Sequence, residues 1–190
     1  MQIPTVLIHA SENDRGVLLQ RTIGADQYRC LPVEAQLAGL ARIIEDNAPD
    51  VLVFDLVGPD AGTLEDVFRI ARAVPLPVVV FVENVQESSI QKAVDSGVAA
   101  YVVDGFSEHR ILTTLRLAET RYRALSRLRA EADAAKDALA ERKMIDRAKV
   151  RLMSVRGLSE HDAYREMRTT AMNSNERIAD VARRLLETLP

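Results

Sequence analysis

Residues 51–60 read VLVFDLVGPD, and this short segment decides how the fold is interpreted. The unbroken apolar run Val51–Phe54 predicts a strand that is buried on both faces, which is typical of a parallel sheet covered by helices. Asp55 ends the run, and Gly58-Pro59 follow it as a turn. A carboxylate at the mouth of a parallel sheet can accept a phosphoryl group, but the same residue can also simply cap the turn.

Composition narrows the class of protein. The chain has 190 residues, of which 47% are hydrophobic, and this is enough for a packed core in one or two domains. The single cysteine, Cys30, excludes an internal disulfide and a thiolate-rich zinc site. His9, His109 and His161 share no spacing that is typical of metal ligands, so we predict neither a metal site nor a cofactor.

No segment of the sequence has the character of a membrane span or an export signal. The N-terminal stretch MQIPTVLIHASEN lacks the basic start and the long apolar run of a secretory signal. No apolar run elsewhere approaches the roughly 20 residues that cross a bilayer. We therefore expect a cytoplasmic protein.

Charge is distributed unevenly along the chain. Residues 1–109 carry 7 basic and 16 acidic side chains, whereas residues 142–190 carry 11 basic and 7 acidic ones. Residues 110–141 lie between these extremes, with 7 basic and 5 acidic side chains. An acidic module joined to a basic one suggests that the second meets nucleic acid, although a basic helix can also be a solvated face.

Two periodicities alternate over residues 1–106. Short β-branched segments predict five strands, at Thr5–Ile8, Arg29–Val33, Val51–Asp55, Pro77–Val82 and Ala99–Val103. Segments with helical spacing separate them, at Arg15–Ile23, Glu34–Asn47, Gly62–Val74 and Glu87–Ser96. Strands that alternate with helices build right-handed βαβ units, so we predict an α/β domain with a doubly wound, five-stranded parallel sheet.

The pattern becomes entirely helical after Gly105. Residues 107–155 contain no glycine or proline and are rich in Ala, Leu, Arg and Glu, which are strong helix formers. Heptad spacing is seen at Ile111, Leu115, Ala118, Tyr122 and Leu125, and it resumes at Leu128, Ala132, Ala135 and Leu139. A helix over Glu108–Val155 would extend about 72 Å. We predict a coiled-coil linker over residues 107–141 that forms a homodimer, the alternative being a bent helix that folds back on its own domain.

Two short helices are predicted to follow, completing an all-α module over residues 142–190. Gly157 is suited to end the long helix and Ser159 to cap the next one. That helix is expected to bury Ala163, Tyr164, Met167 and Ala171. The polar run Asn173–Asn175 ends it and is expected to cap the last helix, whose apolar face contains Ile178, Val181, Ala182 and Leu185.

The sheet domain resembles a response-regulator receiver domain over roughly residues 4–120. The resemblance rests on the strand spacing and on Asp55 followed by Gly58-Pro59, and it implies that Asp55 stands at the phosphoacceptor position. In that family an acidic pair after strand 1 holds Mg²⁺, a hydroxyl follows strand 4 and a lysine follows strand 5. Those positions here hold Ala10 and Ser11, Val82 and Asp104. We therefore interpret the domain as a pseudo-receiver in which Asp55 is not phosphorylated.

The C-terminal segment MIDRAKVRLMSVRGLSEHDAYREMRTTAMNSNERIADVARRLLE resembles the ANTAR domain. The resemblance is carried by Ala148-Lys149 and Leu152-Met153 in the first helix, Gly157–Glu160 in the turn and Ile178–Ala182 in the last helix. A receiver, a coiled coil and an ANTAR domain together are the architecture of AmiR/NasT-type antiterminators. The resemblance implies a regulator, not an enzyme, that binds tandem hairpins in nascent mRNA and prevents terminator formation. In some relatives of this family, a ligand-sensing partner protein restrains the regulator.

Six polar side chains of this module are candidate RNA-binding residues. Tyr164 could also stack on a base, but we expect it in the core. Phosphates and the edges of splayed loop bases are bound by cations and amides, which are supplied by Lys149, Arg156, Arg165, Arg168, Asn175 and Arg177. The main alternative is a DNA-binding response regulator, because the last helices can be interpreted as a helix-turn-helix. A phosphorelay component and a regulator that binds only proteins are further alternatives.

Overall fold

The computed structural model describes residues 3–24, 27–84, 87–104 and 107–189. The chain divides into two compact units, Met1–Ser126 and Arg127–Pro190. The first unit extends past residue 106, where the sequence pattern placed a boundary. The reason is that the first turns of the long helix pack against the sheet and belong to its core.

The first unit is built on one parallel sheet of five strands. These strands are β1 Thr5–Ala10, β2 Arg29–Cys30, β3 Val51–Leu56, β4 Val78–Val82 and β5 Ala100–Val102. Their order across the sheet is β2-β1-β3-β4-β5, and every pairing is parallel. The doubly wound parallel sheet predicted from the sequence is therefore confirmed. Every residue of the central strand β3 is buried, including Asp55 near its carboxyl end.

Helices cover both faces of this sheet. They are α1 Asn13–Ile23, α2 Leu40–Asn47, α3 Ala61–Ala73, α4 Glu87–Asp95 and the first turns of α5, which runs Glu108–Arg156. Residues of α1 and α5 pack on one face and residues of α2, α3 and α4 on the other. The prediction that α2 starts at Glu34 is wrong, because Gly39 precedes it in the left-handed conformation, with φ of 95°. A helix cannot continue through that geometry.

The second unit consists of three packed helices. The last turns of α5, which is one continuous helix, meet α6 Glu160–Ser174 and α7 Ile178–Thr188. Their shared core contains Ala148, Leu152, Ala163, Met167 and Ala182. The two predicted boundaries are confirmed: Gly157 follows α5 with φ of 68°, and Ser159 Oγ accepts a hydrogen bond from the backbone N–H of Asp162 at 3.1 Å.

Two local predictions for this unit are wrong. Asn175 ends α6 in the left-handed conformation, with φ of 53°, and it does not cap α7, whose N-cap residue is Arg177. Tyr164 is 44% exposed and does not belong to the core. It follows Ala163 directly, and one helical residue turns a side chain by about 100° away from the buried stripe.

Three of the residues predicted to form a dimer seam are instead buried within the first unit. Ile111, Leu115 and Ala118 are at most 1% exposed and pack against the sheet. A side chain that is occupied in its own core cannot also face a second chain, so their assignment to a seam is wrong. A helix that packs on a sheet repeats its buried residues every three to four positions, which imitates a heptad. Of the remaining two, Tyr122 is partly buried and Leu125 is 53% exposed.

Candidate functional site

Asp55 is buried at the carboxyl edge of the sheet and is bound by an arginine. Its side chain is 0% exposed. The guanidinium of Arg15 donates from Nε to Oδ2 and from Nη2 to Oδ1, each at 2.8 Å, while its Nη1 donates to Oε1 of Glu83 at 2.9 Å. A bidentate pair of this kind fixes the orientation of both groups. Both carboxylate oxygens of Asp55 therefore face a cation that the chain itself supplies.

The position of Arg15 follows from the short connection between β1 and α1. β1 ends at Ala10, which is the register partner of Asp55, and Arg15 lies in the first turn of α1. A cation is unfavourable there because the helix dipole is positive at the N-terminus, so the arginine needs a carboxylate partner. Hydrogen bonding to Asp55 raises the pKa of Arg15 above its ordinary value. Gly16 permits the close packing of α1, since a Cβ there would lie 2.5 Å from Val33.

The positions that hold helper groups in receivers have other roles here. Ser11 Oγ accepts a hydrogen bond from the backbone N–H of Val57 at 2.9 Å and donates to the carbonyl oxygen of Asp55 at 3.3 Å. Val82 is buried at the end of β4, and Asp104 is exposed just after β5 with φ of 68°. These positions thus hold a serine that hydrogen-bonds to the backbone (Ser11), an apolar side chain (Val82) and a further carboxylate (Asp104). Among the described residues, no three His, Cys, Asp or Glu side chains are grouped to hold a metal ion.

His9 is a buried titratable group on the neighbouring strand. Its ring is 3% exposed and lies against Phe54, with the ring centroids 5.5 Å apart. Burial lowers the pKa of His9, because an imidazolium would lose its hydration; the contact with Glu34 acts in the opposite direction but is weaker. His9 is therefore neutral in the folded protein at neutral pH.

The predicted RNA-binding cations of the second unit are mostly paired with carboxylates. Lys149 Nζ lies 2.8 Å from Glu160 and 2.9 Å from Asp146, and these two contacts raise the pKa of the lysine. Arg177 Nη2 lies 2.7 Å from Glu141. Each of these cations would have to exchange a carboxylate in order to bind a phosphate.

The other predicted residues differ in how far they are engaged. Arg156 pairs with Glu166, and Arg165 pairs with Asp162 at 2.5 Å. The side chain of Arg168 is exposed and makes no ion pair or hydrogen bond with the rest of the described chain. Asn175 is exposed in the turn that leads to α7.

These residues are spread along the unit and do not form one cluster. Glu141 and Arg156 are 15 positions apart on α5, or about 22 Å along the axis. Arg177, which binds Glu141, therefore lies near one end of the three-helix unit, and Arg156 lies near the other. An RNA hairpin that contacts all of the predicted residues would have to span this distance.

One face of α6 is exposed although part of it is apolar or aromatic. Tyr164, Arg168 and Met172 are four residues apart and share this face, which we call the α6 outer face. Tyr164 is 44% exposed and Met172 is 73% exposed, and a shallow depression beside Tyr164 is bordered by Lys149 and His161. Aromatic rings and guanidinium planes are the groups on which unstacked bases stack.

Sequence reasoning missed three of these residues, and for the fourth, Tyr164, it favoured the core over stacking on a base. Arg15 and Glu83 were not assigned, although a cation in the first turn of a helix is an anomaly that signals a specific carboxylate. Tyr164 was assigned to the core and Met172 to no site. The available signal was that both lie off the helical stripe defined by Ala163.

Solved structures define the class to which the first unit belongs. The signal receiver domain of a modulated diguanylate cyclase from Desulfovibrio desulfuricans G20 matches 65% of this chain and 98% of that chain, with a TM-score of 0.54 and 20% identity. A CheY-like response regulator receiver domain protein from Methanospirillum hungatei JF-1 matches 65% and 98%, with a TM-score of 0.56 and 14% identity. At these identities the likeness establishes the fold alone, which is that of a response-regulator receiver domain.

Sequence relatives then identify the family. The ANTAR domain matches residues 133–186. The transcriptional regulatory protein PdtaR of Mycobacterium tuberculosis is 30% identical over 148 residues, which are 78% of this chain and 72% of that protein. The nitrate regulatory protein of Klebsiella oxytoca is 42% identical over 62 residues, which are 33% of this chain and 16% of that protein. The chain belongs to the ANTAR-domain response regulators. No helix in the described ranges is long and apolar enough to span a membrane.

Proposed function

We propose that this protein is a cytoplasmic transcription antiterminator, without enzymatic activity, whose second unit binds hairpin loops in nascent mRNA and prevents a terminator from forming. The observation that carries the proposal is the α6 outer face, in a unit that the ANTAR domain matches. Loop bases that leave the helical stack are bound by aromatic rings and planar cations. Tyr164 and Arg168 offer one of each, four residues apart.

The RNA backbone is expected to replace carboxylates in exposed ion pairs. Lys149, Arg156, Arg165 and Arg177 hold carboxylates that are 35% to 70% exposed. Exposed pairs contribute little to stability, because water competes for both charges. A phosphate oxygen can therefore take the place of a carboxylate at small cost, while Arg168 and Asn175 are available without any exchange.

Two hairpins are best bound by two protomers. We propose that these protomers pair through the middle of α5. Leu125, Leu128 and Leu139 are 53%, 55% and 53% exposed, although leucine is usually buried. A second copy of α5 would cover them in the register that includes Ala132 and Ala135. This seam replaces the one centred on Leu115.

The input to the first unit is proposed to come from a ligand-sensing partner protein and not from phosphorylation. The proposal follows the resemblance to antiterminators that are restrained in this way. It also fits the three helper positions, which hold Ser11, Val82 and Asp104 in place of the groups that phosphoryl transfer uses. Binding of the partner would then control access of the second unit to RNA.

Titration against four nucleic acids of matched length tests the function: a tandem-hairpin RNA, a single hairpin, an unrelated RNA and a DNA duplex. We expect the tandem RNA to bind most tightly, because two coupled contacts raise the effective concentration. Tyr164→Ala should weaken this binding about tenfold through the loss of one stacked base. Val150→Ala, at a residue that is 64% exposed on α5, is the matched control. Preference for the DNA duplex would instead favour a helix-turn-helix regulator.

A further inference from the structure

We propose that Asp55 is an anionic site permanently occupied by the chain's own Arg15, and that this pair is a latch that ties α1 to the carboxyl edge of the sheet. In the native chain neither a phosphoryl donor nor a divalent cation then reaches Asp55. The latch is a property of the first unit and stands independently of RNA binding by the second.

The contacts leave no free carboxylate oxygen at Asp55. Oδ1 and Oδ2 each accept an N–H of Arg15 at 2.8 Å, and the side chain is 0% exposed. A carboxylate that attacks phosphorus needs one oxygen that can approach the donor. That approach requires the guanidinium to leave, which would strand a buried negative charge without a partner.

The charges around Arg15 explain why a guanidinium and not a metal ion fits this place. Asp55 and Glu83 both contact it, and the charge of Glu12 also stabilises its protonated form. A divalent ion such as Mg²⁺ is held by about six oxygens in a set geometry. The residues at the acidic-pair positions, Ala10 and Ser11, supply no carboxylate. Arg15 neutralises the site without needing those missing ligands.

The remainder of α1 fixes the backbone from which Arg15 reaches Asp55. Leu19 and Ile23 of the same helix are fully buried in the core on this face of the sheet. Gly16 lies so close to the neighbouring chain that an added Cβ would meet Val33 at 2.5 Å and Ala10 at 2.9 Å. The helix is thus seated tightly at the residue next to Arg15, and the guanidinium is presented to Asp55 by a fixed backbone.

Hydrogen–deuterium exchange of the full chain tests the latch, with the slowest amides of β3 as the readout. Arg15→Met should raise their exchange rate about 100-fold, since breaking a buried pair from one side is strongly destabilising. The double variant Arg15→Met/Asp55→Asn should exchange at least tenfold more slowly than Arg15→Met, because the stranded charge is gone. Arg21→Met, an exposed arginine on the same helix, is the matched control and should stay near the parent rate.

Exchange in Arg15→Met within threefold of the parent, or a double variant no slower than the single one, would overturn the latch. If Arg15→Met fails to fold, Arg15→Lys keeps the charge but cannot form the two-pronged contact. It should raise the exchange rate about tenfold, and a rate equal to that of the parent would equally overturn the proposal.

Intact mass after treatment with acetyl phosphate and Mg²⁺ tests the second consequence. The parent should remain unmodified, with a phosphorylatable receiver domain treated in parallel to show that the donor is active. A stoichiometric phosphate adduct on the parent that is absent from Asp55→Asn would show that the guanidinium does not occupy the site. An unmodified parent, together with the exchange result, supports permanent occupation by Arg15.

Discussion

The two units contain ion pairs of the same length whose carboxylates lie in opposite surroundings, although both cations are largely covered, Arg15 being 25% and Lys149 17% exposed. In the first unit the guanidinium of Arg15 lies 2.8 Å from Asp55, whose side chain is 0% exposed. In the second unit Lys149 lies 2.8 Å from Glu160, whose side chain is 70% exposed. The distance between the charged atoms of an ion pair therefore does not by itself show whether the pair is structural or exchangeable.

The difference lies in what can replace each partner. Water surrounds Glu160, so its attraction to Lys149 is screened and another anion can take its place. No solvent reaches Asp55, and removing its cation would leave a charge in a medium that does not stabilise it. The pair with the buried carboxylate is consequently fixed, and the pair with the exposed carboxylate is exchangeable. The first suits a structural latch and the second suits a surface that binds RNA phosphates.

The largest effect on stability is expected on α5, where the same contrast between a buried and an exposed position separates Leu115 from Leu125. Leu115→Asp should unfold the first unit, with a loss of more than about 4 kcal/mol, because a charge enters a core position that is 0% exposed. Leu125→Asp, at a residue that is 53% exposed, should leave the fold intact and weaken self-association. Circular dichroism and light scattering of both variants decide this. A folded, monomeric Leu115→Asp would restore the seam first predicted there.

The next effect concerns His9, a buried group for which the cost of burial outweighs the interaction with Glu34. Because burial lowers the pKa of His9, the unfolded chain binds a proton at higher pH than the folded chain does. The contribution of His9 to stability should be constant above about pH 7 and should fall as the pH drops below the ordinary value of about 6.5, by at most about 1.4 kcal/mol per pH unit. Urea unfolding at pH values from about 5 to about 8, which bracket the titration of a histidine, measures how steeply stability depends on pH.

The control for this pH dependence is an exposed histidine. His9→Gln should flatten the slope, whereas His109→Gln should leave it unchanged, since His109 is exposed in the folded chain. Equal slopes in both variants would show that His9 is not the group responsible.

A smaller effect on stability is expected from the N-cap hydrogen bond of Ser159, an exposed contact that RNA does not replace. Ser159 Oγ satisfies the backbone N–H of Asp162 at the start of α6. Ser159→Ala should destabilise the second unit by about 1 kcal/mol, as is typical for loss of an N-cap. Ser174→Ala is the control, because that hydroxyl binds the carbonyl of Thr170 within the helix and caps no free N–H. Similar losses in the two variants would contradict the capping role.

The smallest effect is a gain in RNA affinity. Glu160→Gln removes a carboxylate that competes with phosphate for Lys149, so binding of the tandem-hairpin RNA should tighten about threefold. Glu187→Gln makes the same change of charge at an exposed residue of α7 that has no ion pair among the described residues. If the two variants bind alike, only net charge matters and the exchange of partners at Lys149 is unsupported.

The sheet and the helix ends could be predicted because they are encoded locally. The apolar run Val51–Phe54 specifies a buried strand, and Gly157 and Ser159 specify the end of one helix and the start of the next. The contacts of Arg15 could not be predicted in this way. Arg15 is 40 positions from Asp55 and 68 positions from Glu83 along the chain, so no local pattern links it to either partner.

Errors arose where one pattern serves two structures. Ile111 and Leu115 recur as in a coiled coil, but a helix on a sheet has the same spacing. Tyr164 is next to the buried stripe of α6 in the sequence, and an aromatic residue type alone does not show whether the side chain belongs to that stripe. For the proposed RNA surface, the cations could be predicted from the sequence, but their carboxylate partners could not, and these partners decide whether Lys149 is free or engaged.

The salt dependence of RNA binding tests most sharply whether cations of the second unit exchange solvent-exposed carboxylates for RNA phosphates. For a single hairpin and the parent protein, we expect log K to fall with log salt at a slope of roughly −3, corresponding to about four phosphates. Lys149→Ala should flatten that slope by about 0.7, while Arg21→Ala in the first unit should not change it. Equal affinity of the parent for the tandem hairpins and for an unrelated RNA of the same length would contradict the account, whatever the slope.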